Sequence, residues 1–178
     1  MSWPRTIWAQ ARQINALLCW PDMPGDDAPP DRFFAWLRSE GKTGEAVLFL
    51  GQALPRFEAV LWAADVSAAF ATPAEADAMA AVRAWLASPT EAHRRAAGAA
   101  ALRGPPATAA TLVASAIFHS GGSIAPPDQP PAAPPRDIAG RLAAIAVLTA
   151  VATAGRDALD QALDQGAALA RRDTETTE

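Results

Sequence analysis

Apolar side chains recur every three or four residues along most of the chain, the spacing that gathers them on one face of an α-helix. The pattern predicts a first amphipathic helix over 4–20 and a long last helix over 137–171, which Gly155 can bend. Between them it predicts shorter helices bounded by proline or glycine, giving about seven to eight helices in all. The apolar face of the first helix comprises Ile7, Ala11, Ile14 and Leu18.

Two helix starts carry nearly the same four residues, Thr72-Pro73-Ala74-Glu75 and Ser88-Pro89-Thr90-Glu91. In each, the first hydroxyl can accept a hydrogen bond from an unpaired amide, and proline suits the first helical position. The glutamate can in turn accept a hydrogen bond from the amide of the first residue. We therefore predict capping boxes with Thr72 and Ser88 as N-caps. The apolar patterns after the two segments differ, so we expect no repeat architecture.

Prolines dominate the segment 121–136, which precedes the last predicted helix. Proline lacks an amide N–H and disfavours helix, so we expect an extended, polyproline-like strap across the bundle. We predict one domain over 1–172, with 121–136 as a connector inside it and 173–178 as a polar tail. The prolines of the strap are Pro126, Pro127, Pro130, Pro131, Pro134 and Pro135.

Alanine supplies much of the 51% hydrophobic content, and tyrosine is absent. Alanine is the best helix former and offers little to a strand, so the predicted fold class is an all-α helical bundle. The net charge of -4 does not provide the basic surface that nucleic acid or an anionic membrane requires. The most apolar stretch, 142–154, is shorter than the ~20 residues that span a bilayer. We expect neither nucleic-acid binding nor membrane insertion.

The single cysteine, Cys19, excludes an internal disulfide and favours a reducing compartment, so we expect a cytoplasmic protein. Arg5 and Arg12 interrupt the apolar residues near the N-terminus, so we expect no secretory signal. Cys19 lies beside Trp20 in an apolar segment, where we expect a buried thiol without a reactive role.

Two patterns suggest a phosphate or metal site, but each lacks a required feature. Gly41-Lys42-Thr43 looks like the end of a phosphate-binding loop, yet Trp36 stands where that loop needs glycine. We read it as a helix end followed by a Thr43 cap. Three carboxylates share one face of the last helix without a matching set elsewhere, so we expect them to be solvated. They belong to Asp157, Asp160 and Asp164.

The two histidines are the remaining candidates for catalysis or metal binding. His93 stands beside two arginines that would repel a cation, and neither histidine has a second ligand at metal-binding spacing. The segment from His119 to Ser123 places an imidazole and two hydroxyls, on Ser120 and Ser123, at a helix end. It lacks the strand and turn of a nucleophile elbow, so we read it as a glycine helix cap. An enzyme or ligand site there, with Glu58 as orienter, stays an alternative.

Six tryptophans are many for this length, and most should fill gaps between alanine-rich helices. Trp3 and Trp8 lie nearest the N-terminus, where we expect exposure and contact with a partner protein. The strap offers a second contact surface, because exposed prolines suit a proline-recognition groove. The proline residues predicted to contact a partner are Pro126, Pro127, Pro130 and Pro131.

Three segments carry a family resemblance. They are Leu54-Pro55-Arg56-Phe57-Glu58-Ala59-Val60-Leu61-Trp62-Ala63, Pro89-Thr90-Glu91 followed by Arg94 and Ala96, and Ser120-Gly121-Gly122-Ser123-Ile124-Ala125-Pro126-Pro127. Over about 54–135 the chain resembles an uncharacterised family of bacterial all-helical proteins. The resemblance implies an accessory, adaptor or chaperone-like role near type VI secretion genes, and it implies no catalytic residue.

We therefore predict a non-enzymatic protein-interaction module, an accessory, adaptor or chaperone-like protein of a bacterial type VI secretion system. We expect a protein partner, and neither a metal nor a cofactor. Two other functions stay open: a small helical enzyme or ligand-binding protein with its site near 119–123, and a structural subunit of an envelope or secretion assembly.

Overall fold

The computed structural model describes residues 3–126 and 128–172, and every regular element in those ranges is helical. This confirms the predicted all-α fold. Nine α-helices are found in the described ranges, and α5 is preceded by a single 3-10 turn, Pro73–Glu75. The helices are α1 Ala11–Leu18, α2 Pro30–Ser39, α3 Thr43–Ala53, α4 Arg56–Ala68, α5 Ala76–Ala87, α6 Glu91–Arg103, α7 Ala109–Phe118, α8 Ile138–Val151 and α9 Arg156–Arg171.

Helix α8 lies at the centre of the bundle, in contact with α3, α4, α7 and α9. All of its buried residues are alanine, glycine or valine, so neighbouring helices can approach closely. It lies very close to α3, where a Cβ atom on Gly140 would stand 2.5 Å from the Gly51 carbonyl oxygen. The alanine-rich composition therefore sets how tightly the bundle packs.

Large side chains fill the remaining space between α3, α4 and α9. Trp62 is fully buried, and its indole N–H donates a 2.8 Å hydrogen bond to the Ala162 carbonyl oxygen. Opposite it, a Cβ atom on Gly166 would stand 2.6 Å from Leu50 and 2.9 Å from Trp62. The expectation that most tryptophans fill gaps between small residues holds here.

The predicted first helix begins later than expected, at Ala11 instead of residue 4. Residues 3–10 instead form an irregular arm that runs beside α9, with the Arg5 amide N–H directed at the Ala170 carbonyl oxygen. The Gln13 side chain starts the helix, because its Oε1 accepts hydrogen bonds from the amides of Ala9 and Gln10. Ile7, placed on the apolar face by its spacing, is 81% exposed.

The predicted last helix is two helices, α8 and α9, separated by residues 152–155. Gly155 does more than bend the chain: its φ of +86° lies outside the helical region and ends any continuation. The break lets α9 turn back along α3 and α4. The predicted tail, 173–178, lies outside the described residues.

At the ends of α1 and α2, two predictions are wrong and one is confirmed. Cys19 is exposed, because it ends α1 in the left-handed conformation with φ at +57°. The expectation of a buried thiol is therefore wrong. Gly41 ends α2 with φ at +69°, as a helix-ending glycine does. The predicted Thr43 cap is wrong, because Thr43 is the first residue of α3 and its N-cap is Lys42.

The first predicted capping box is confirmed, and the second is wrong in its details. Thr72 and Glu75 exchange the reciprocal hydrogen bonds of a capping box. In the second segment Thr90, and not Ser88, caps α6 by accepting a 3.2 Å hydrogen bond from the His93 amide.

Among the described residues no helix is both long enough and apolar enough to cross a membrane. The apolar stretch 142–154 lies mostly in the central helix α8, which contacts four other helices.

Candidate functional site

The segment between α7 and α8 is not helical where the structure describes it, as predicted, but it folds back on itself instead of lying extended across the bundle. We call residues 120–135 the proline loop. The Ile124 amide donates a 2.9 Å hydrogen bond to the Ala132 carbonyl oxygen, which closes the loop at its base. The Ser123 hydroxyl oxygen accepts from the amides of Ala125 and Ala132, each at 3.1 Å. Gly122, with φ at +63°, supplies the left-handed turn before this closure.

Arginines on α6 hold the loop through its carbonyl oxygens. Arg94 is only 4% exposed, and its guanidinium donates to the Phe118 and Ser123 carbonyl oxygens, the latter at 2.7 Å. Arg95 donates to the Ser123 carbonyl and, at 3.2 Å, to that of Ala125. A guanidinium has five donors and no acceptor, so it suits a proline-rich segment that has many carbonyls and few amides.

Glu91 forms ion pairs with both arginines. One of its oxygens accepts from Arg94 Nε at 2.7 Å, and the other from Arg94 Nη2 at 2.8 Å and Arg95 Nε at 2.7 Å. We call Glu91, Arg94 and Arg95 the Glu91 clamp. The hydrogen bonds from Arg94, joined by those from Arg95 and the charge of both, outweigh desolvation and lower the pKa of Glu91 to about 2.

Two close contacts fix the clamp in place. The Arg94 guanidinium lies over the Phe118 ring, 5.0 Å from its centroid. A Cβ atom on Gly122 would stand 3.0 Å from a Glu91 carboxylate oxygen and 3.1 Å from Arg94 Nε. The loop backbone and the clamp are therefore packed against each other without room for a side chain at position 122.

The clamp fixes the base of the loop, while the described prolines of its tip are left in solvent. Pro126, Pro130 and Pro131 are all exposed. Pro127, the fourth proline predicted to contact a partner, lies outside the described residues. The proline loop thus combines an anchored base with a tip at which prolines are exposed.

The predicted exposure of Trp3 is wrong, and Trp8 is half-buried. Trp3 is 6% exposed and packs on Phe34 with ring centroids 5.0 Å apart. The Trp8 indole N–H donates a 2.9 Å hydrogen bond to the Gln52 carbonyl oxygen. Both differ from expectation because the arm is irregular and lies against the bundle. Ile7 is the residue that the arm exposes instead.

The side chains of the alternative enzyme site all engage backbone groups or other partners. The His119 ring nitrogen Nδ1 lies 2.8 Å from the Ser115 carbonyl oxygen, and the Ser120 hydroxyl donates to that of Ile117 at 2.8 Å. Ser123 accepts from two loop amides, at the closure of the proline loop. Glu58 forms an ion pair with Arg5. These contacts complete a helix end and a loop base, and they do not link a nucleophile to a base.

His93 and two of the three carboxylates on the last helix, Asp160 and Asp164, also have identified partners, while Asp157 is exposed. The His93 ring nitrogen Nδ1 lies 2.7 Å from the Ser88 carbonyl oxygen. Arg38 pairs with Asp160 at 3.5 Å and with Asp164 at 2.5 Å, so those two carboxylates lie beside a cation. Within 3–126 and 128–172, no group of three or more histidine, cysteine, aspartate or glutamate side chains is arranged to hold a metal ion.

The three segments that carry the family resemblance meet at the proline loop. Arg56, in the first segment, donates a 3.1 Å hydrogen bond to the Ser120 carbonyl oxygen. Glu91 and Arg94, in the second, hold the third through Ser123. Sequence reasoning missed this arrangement, because it gave Arg94 and Arg95 no role beyond repelling a cation from His93. The available signal was a glutamate with arginines three and four residues later, the spacing of helical ion pairs.

Residues 33–171 match DUF6931, a family of unknown function. The chain belongs to this family. The matched range contains the three segments that meet at the proline loop and extends on both sides of them, to include α3 and α9. No curated protein and no solved structure matches the chain.

Proposed function

We propose that this DUF6931 protein is a non-enzymatic protein-interaction module that presents the proline loop to a partner. The observation that carries the proposal is the combination of an exposed tip with an anchored base. Arg94 is almost fully buried and donates to the Ser123 carbonyl of the loop and to the Phe118 carbonyl at the end of α7, while Pro126, Pro130 and Pro131 are in solvent.

Anchoring favours binding because a loop fixed before association loses less conformational entropy when it binds. Proline adds to this effect, since its ring already restricts the backbone. Burying a charged arginine is costly unless it is paired and hydrogen-bonded, and the clamp meets both conditions at the loop base. The cost is consistent with a loop whose conformation matters to the protein.

The non-enzymatic part of the proposal is supported by the contacts of His119, Ser120 and Ser123. Each is used to complete a helix end or the loop base. The type VI secretion system is proposed as the setting because of the resemblance carried by the three segments at the loop. Within it the protein acts as an accessory, adaptor or chaperone-like component in the cytoplasm.

Affinity capture from host lysate tests the proposal through a loop variant. We expect Pro130→Ala/Pro131→Ala to reduce recovery of a specific partner about tenfold, which corresponds to about 1.4 kcal/mol of binding free energy. Pro21→Ala/Pro24→Ala is the matched control, because it removes two exposed prolines from the loop between α1 and α2. The control should recover the partner as well as the unmodified chain does.

Circular dichroism and thermal melting of all three proteins establish that the substitutions leave the fold intact. Equal recovery by the loop variant and the control contradicts the role of the loop, as does the absence of any partner. Mass spectrometry identifies the partner. If the loop-dependent partners belong to no secretion system, the type VI setting is wrong while the interaction role stands.

A further inference from the structure

A groove on the molecule combines an apolar floor with two arginines. It has a volume of about 370 Å³ and lies where the N-terminal arm, α1, the α3–α4 corner and the start of α8 meet. Its apolar lining comes from Ile7, Trp8, Leu17, Leu54 and Pro55. This volume is at the low end for sites that bind small molecules.

Ile7 at the groove is the feature least explained by folding. Its side chain is 81% exposed, although the arm on either side of it is held by the bundle through Arg5 and the Trp8 indole. Covering an exposed apolar side chain with a partner is favourable, because it removes apolar surface from water. The groove therefore favours an occupant with an apolar group.

The charge of the groove favours an acidic occupant. The whole chain carries a net charge of -4, yet Arg56 and Arg136 line the groove and no aspartate or glutamate does. Arg136 is exposed and has no hydrogen-bond or ion-pair partner among the described residues. Arg56 uses one nitrogen for the Ser120 carbonyl oxygen, which leaves other donors of its guanidinium available.

The acidic residues nearest to these arginines in sequence are already paired. Glu58, on α4, forms an ion pair with Arg5. Asp137, beside Arg136, accepts a 2.7 Å hydrogen bond from Arg141. These two acids therefore already have cationic partners other than Arg56 and Arg136.

From these observations we infer that the groove binds a peptide segment of a partner protein in which an aspartate or glutamate lies next to a large apolar residue. The carboxylate pairs with Arg136 and with the open donors of Arg56, and the apolar side chain packs on Ile7 and Leu54. This site is distinct from the tip of the proline loop, so it goes beyond the proposed function and does not depend on it.

Nuclear magnetic resonance of the full ¹⁵N-labelled chain tests the inference with peptides as probes. The probes are acetylated hexapeptides that carry Asp or Glu beside Leu, Ile or Phe. Their controls are the same peptides with Asn or Gln in place of the acid. We expect the acidic peptides to shift the Ile7 amide and the Trp8 indole N–H signals, and the amide controls to bind at least about tenfold more weakly.

Three variants locate the site. Arg136→Gln should weaken binding of the acidic peptide about tenfold, the loss expected for one charge-assisted hydrogen bond. Ile7→Ser should weaken it by a similar factor. Arg103→Gln, which removes an exposed arginine from the end of α6, is the matched control and should bind as the unmodified chain does.

The inference is overturned if the amide peptides bind equally well, if the shifts lie elsewhere on the molecule, or if no peptide binds. Shifts of Ile7 and Trp8 that depend on protein concentration without peptide would assign the groove to a second copy of the chain and overturn it too. The Pro130→Ala/Pro131→Ala variant separates the two sites, because it should still bind the peptide. Failure at one site therefore leaves the other standing.

Discussion

The segments Thr72–Glu75 and Ser88–Glu91 share nearly the same residues, and the protein uses their glutamates in different ways. Glu75 is 7% exposed, accepts from the Thr72 amide at 2.9 Å, and also accepts from the Ala110 amide at 3.3 Å. It therefore caps its own helix and contacts the first turn of α7. Glu91 leaves the capping to Thr90 and pairs with Arg94 and Arg95.

The residues in the next helical turn after each glutamate explain the difference. After Glu91, arginines stand three and four residues later, on the same face of the helix, and they compete for the carboxylate. After Glu75 those positions hold Ala78 and Met79, which are buried and apolar. A local capping pattern thus fixes the start of a helix to within a few residues, while the neighbouring turn decides what the carboxylate does.

The largest effect is expected from Glu75→Ala. This substitution removes a buried acceptor and leaves the Thr72 and Ala110 amides without it, so unfolding free energy should fall by about 2–3 kcal/mol. Urea denaturation measures the loss. Glu40→Ala, at an exposed position after α2, is the control and should change stability by less than about 0.5 kcal/mol. An equal loss in Glu40→Ala would mean that the hydrogen bonds accepted by Glu75 do not stabilise the fold.

Acid should also reveal the burial of Glu75. Burial alone would raise its pKa, but the hydrogen bonds from Thr72 and Ala110 outweigh that effect and lower it. A carboxyl whose pKa is lower in the folded state stabilises the fold above its ordinary pKa of 4.5 and loses this contribution as the pH falls below it. The stability difference between the unmodified chain and Glu75→Ala should therefore shrink in acid.

The helices were predictable from the sequence because apolar spacing, proline and glycine act locally. The predictions of helix ends that were wrong depend on tertiary contacts. Spacing placed Ile7 on an apolar face, but nothing in the sequence showed that Gln13 would start α1 at Ala11. Gly155 was recognised as a weak point, and only the packing of α9 against α3 and α4 decides that the chain breaks there.

The candidate site was predictable only in part. The prolines of the loop were identified as a contact surface, and those that the structure describes at its tip are exposed. The anchoring of the loop was missed because it depends on Arg94 and Arg95, which are about thirty residues away in sequence. The predicted exposure of Trp3 was wrong because proximity to a chain end was taken to mean exposure. Trp3 instead packs on Phe34.

A smaller difference in stability is expected between variants that remove the Thr90 and the Ser88 hydroxyls of the second segment. Thr90→Ala should lower the unfolding free energy by about 1 kcal/mol, since the Thr90 hydroxyl caps α6. Ser88→Ala should change it by less than about 0.5 kcal/mol, because the Ser88 hydroxyl is not the cap. Thermal melting of both variants measures the difference. A larger loss of stability for Ser88→Ala than for Thr90→Ala would support Ser88 as the N-cap, as the sequence predicts.

The smallest effect on global stability is expected from Glu91→Gln, because the Glu91 side chain is 55% exposed and solvent screens its ion pairs. Its effect should instead appear in the proline loop. With the charge of Glu91 removed, Arg94 and Arg95 repel each other, and the Ile124 and Ala132 amides should exchange with solvent faster. Hydrogen exchange at those two amides measures this, with Glu45→Gln, in the first turn of α3, as the control for losing an acid near a helix start.

The pH dependence of this exchange completes the comparison between the two glutamates. The pKa of Glu91 is lowered from its ordinary 4.5 to about 2, chiefly by the hydrogen bonds from Arg94. The clamp should therefore hold the loop fully above about pH 4.5 and lose its effect as the pH falls toward 2, where the unmodified chain should behave like Glu91→Gln. A difference between the two proteins that stayed constant down to pH 2 would mean that the carboxylate does not hold the loop through its charge. The anchoring would then rest on the arginine contacts to backbone carbonyls alone.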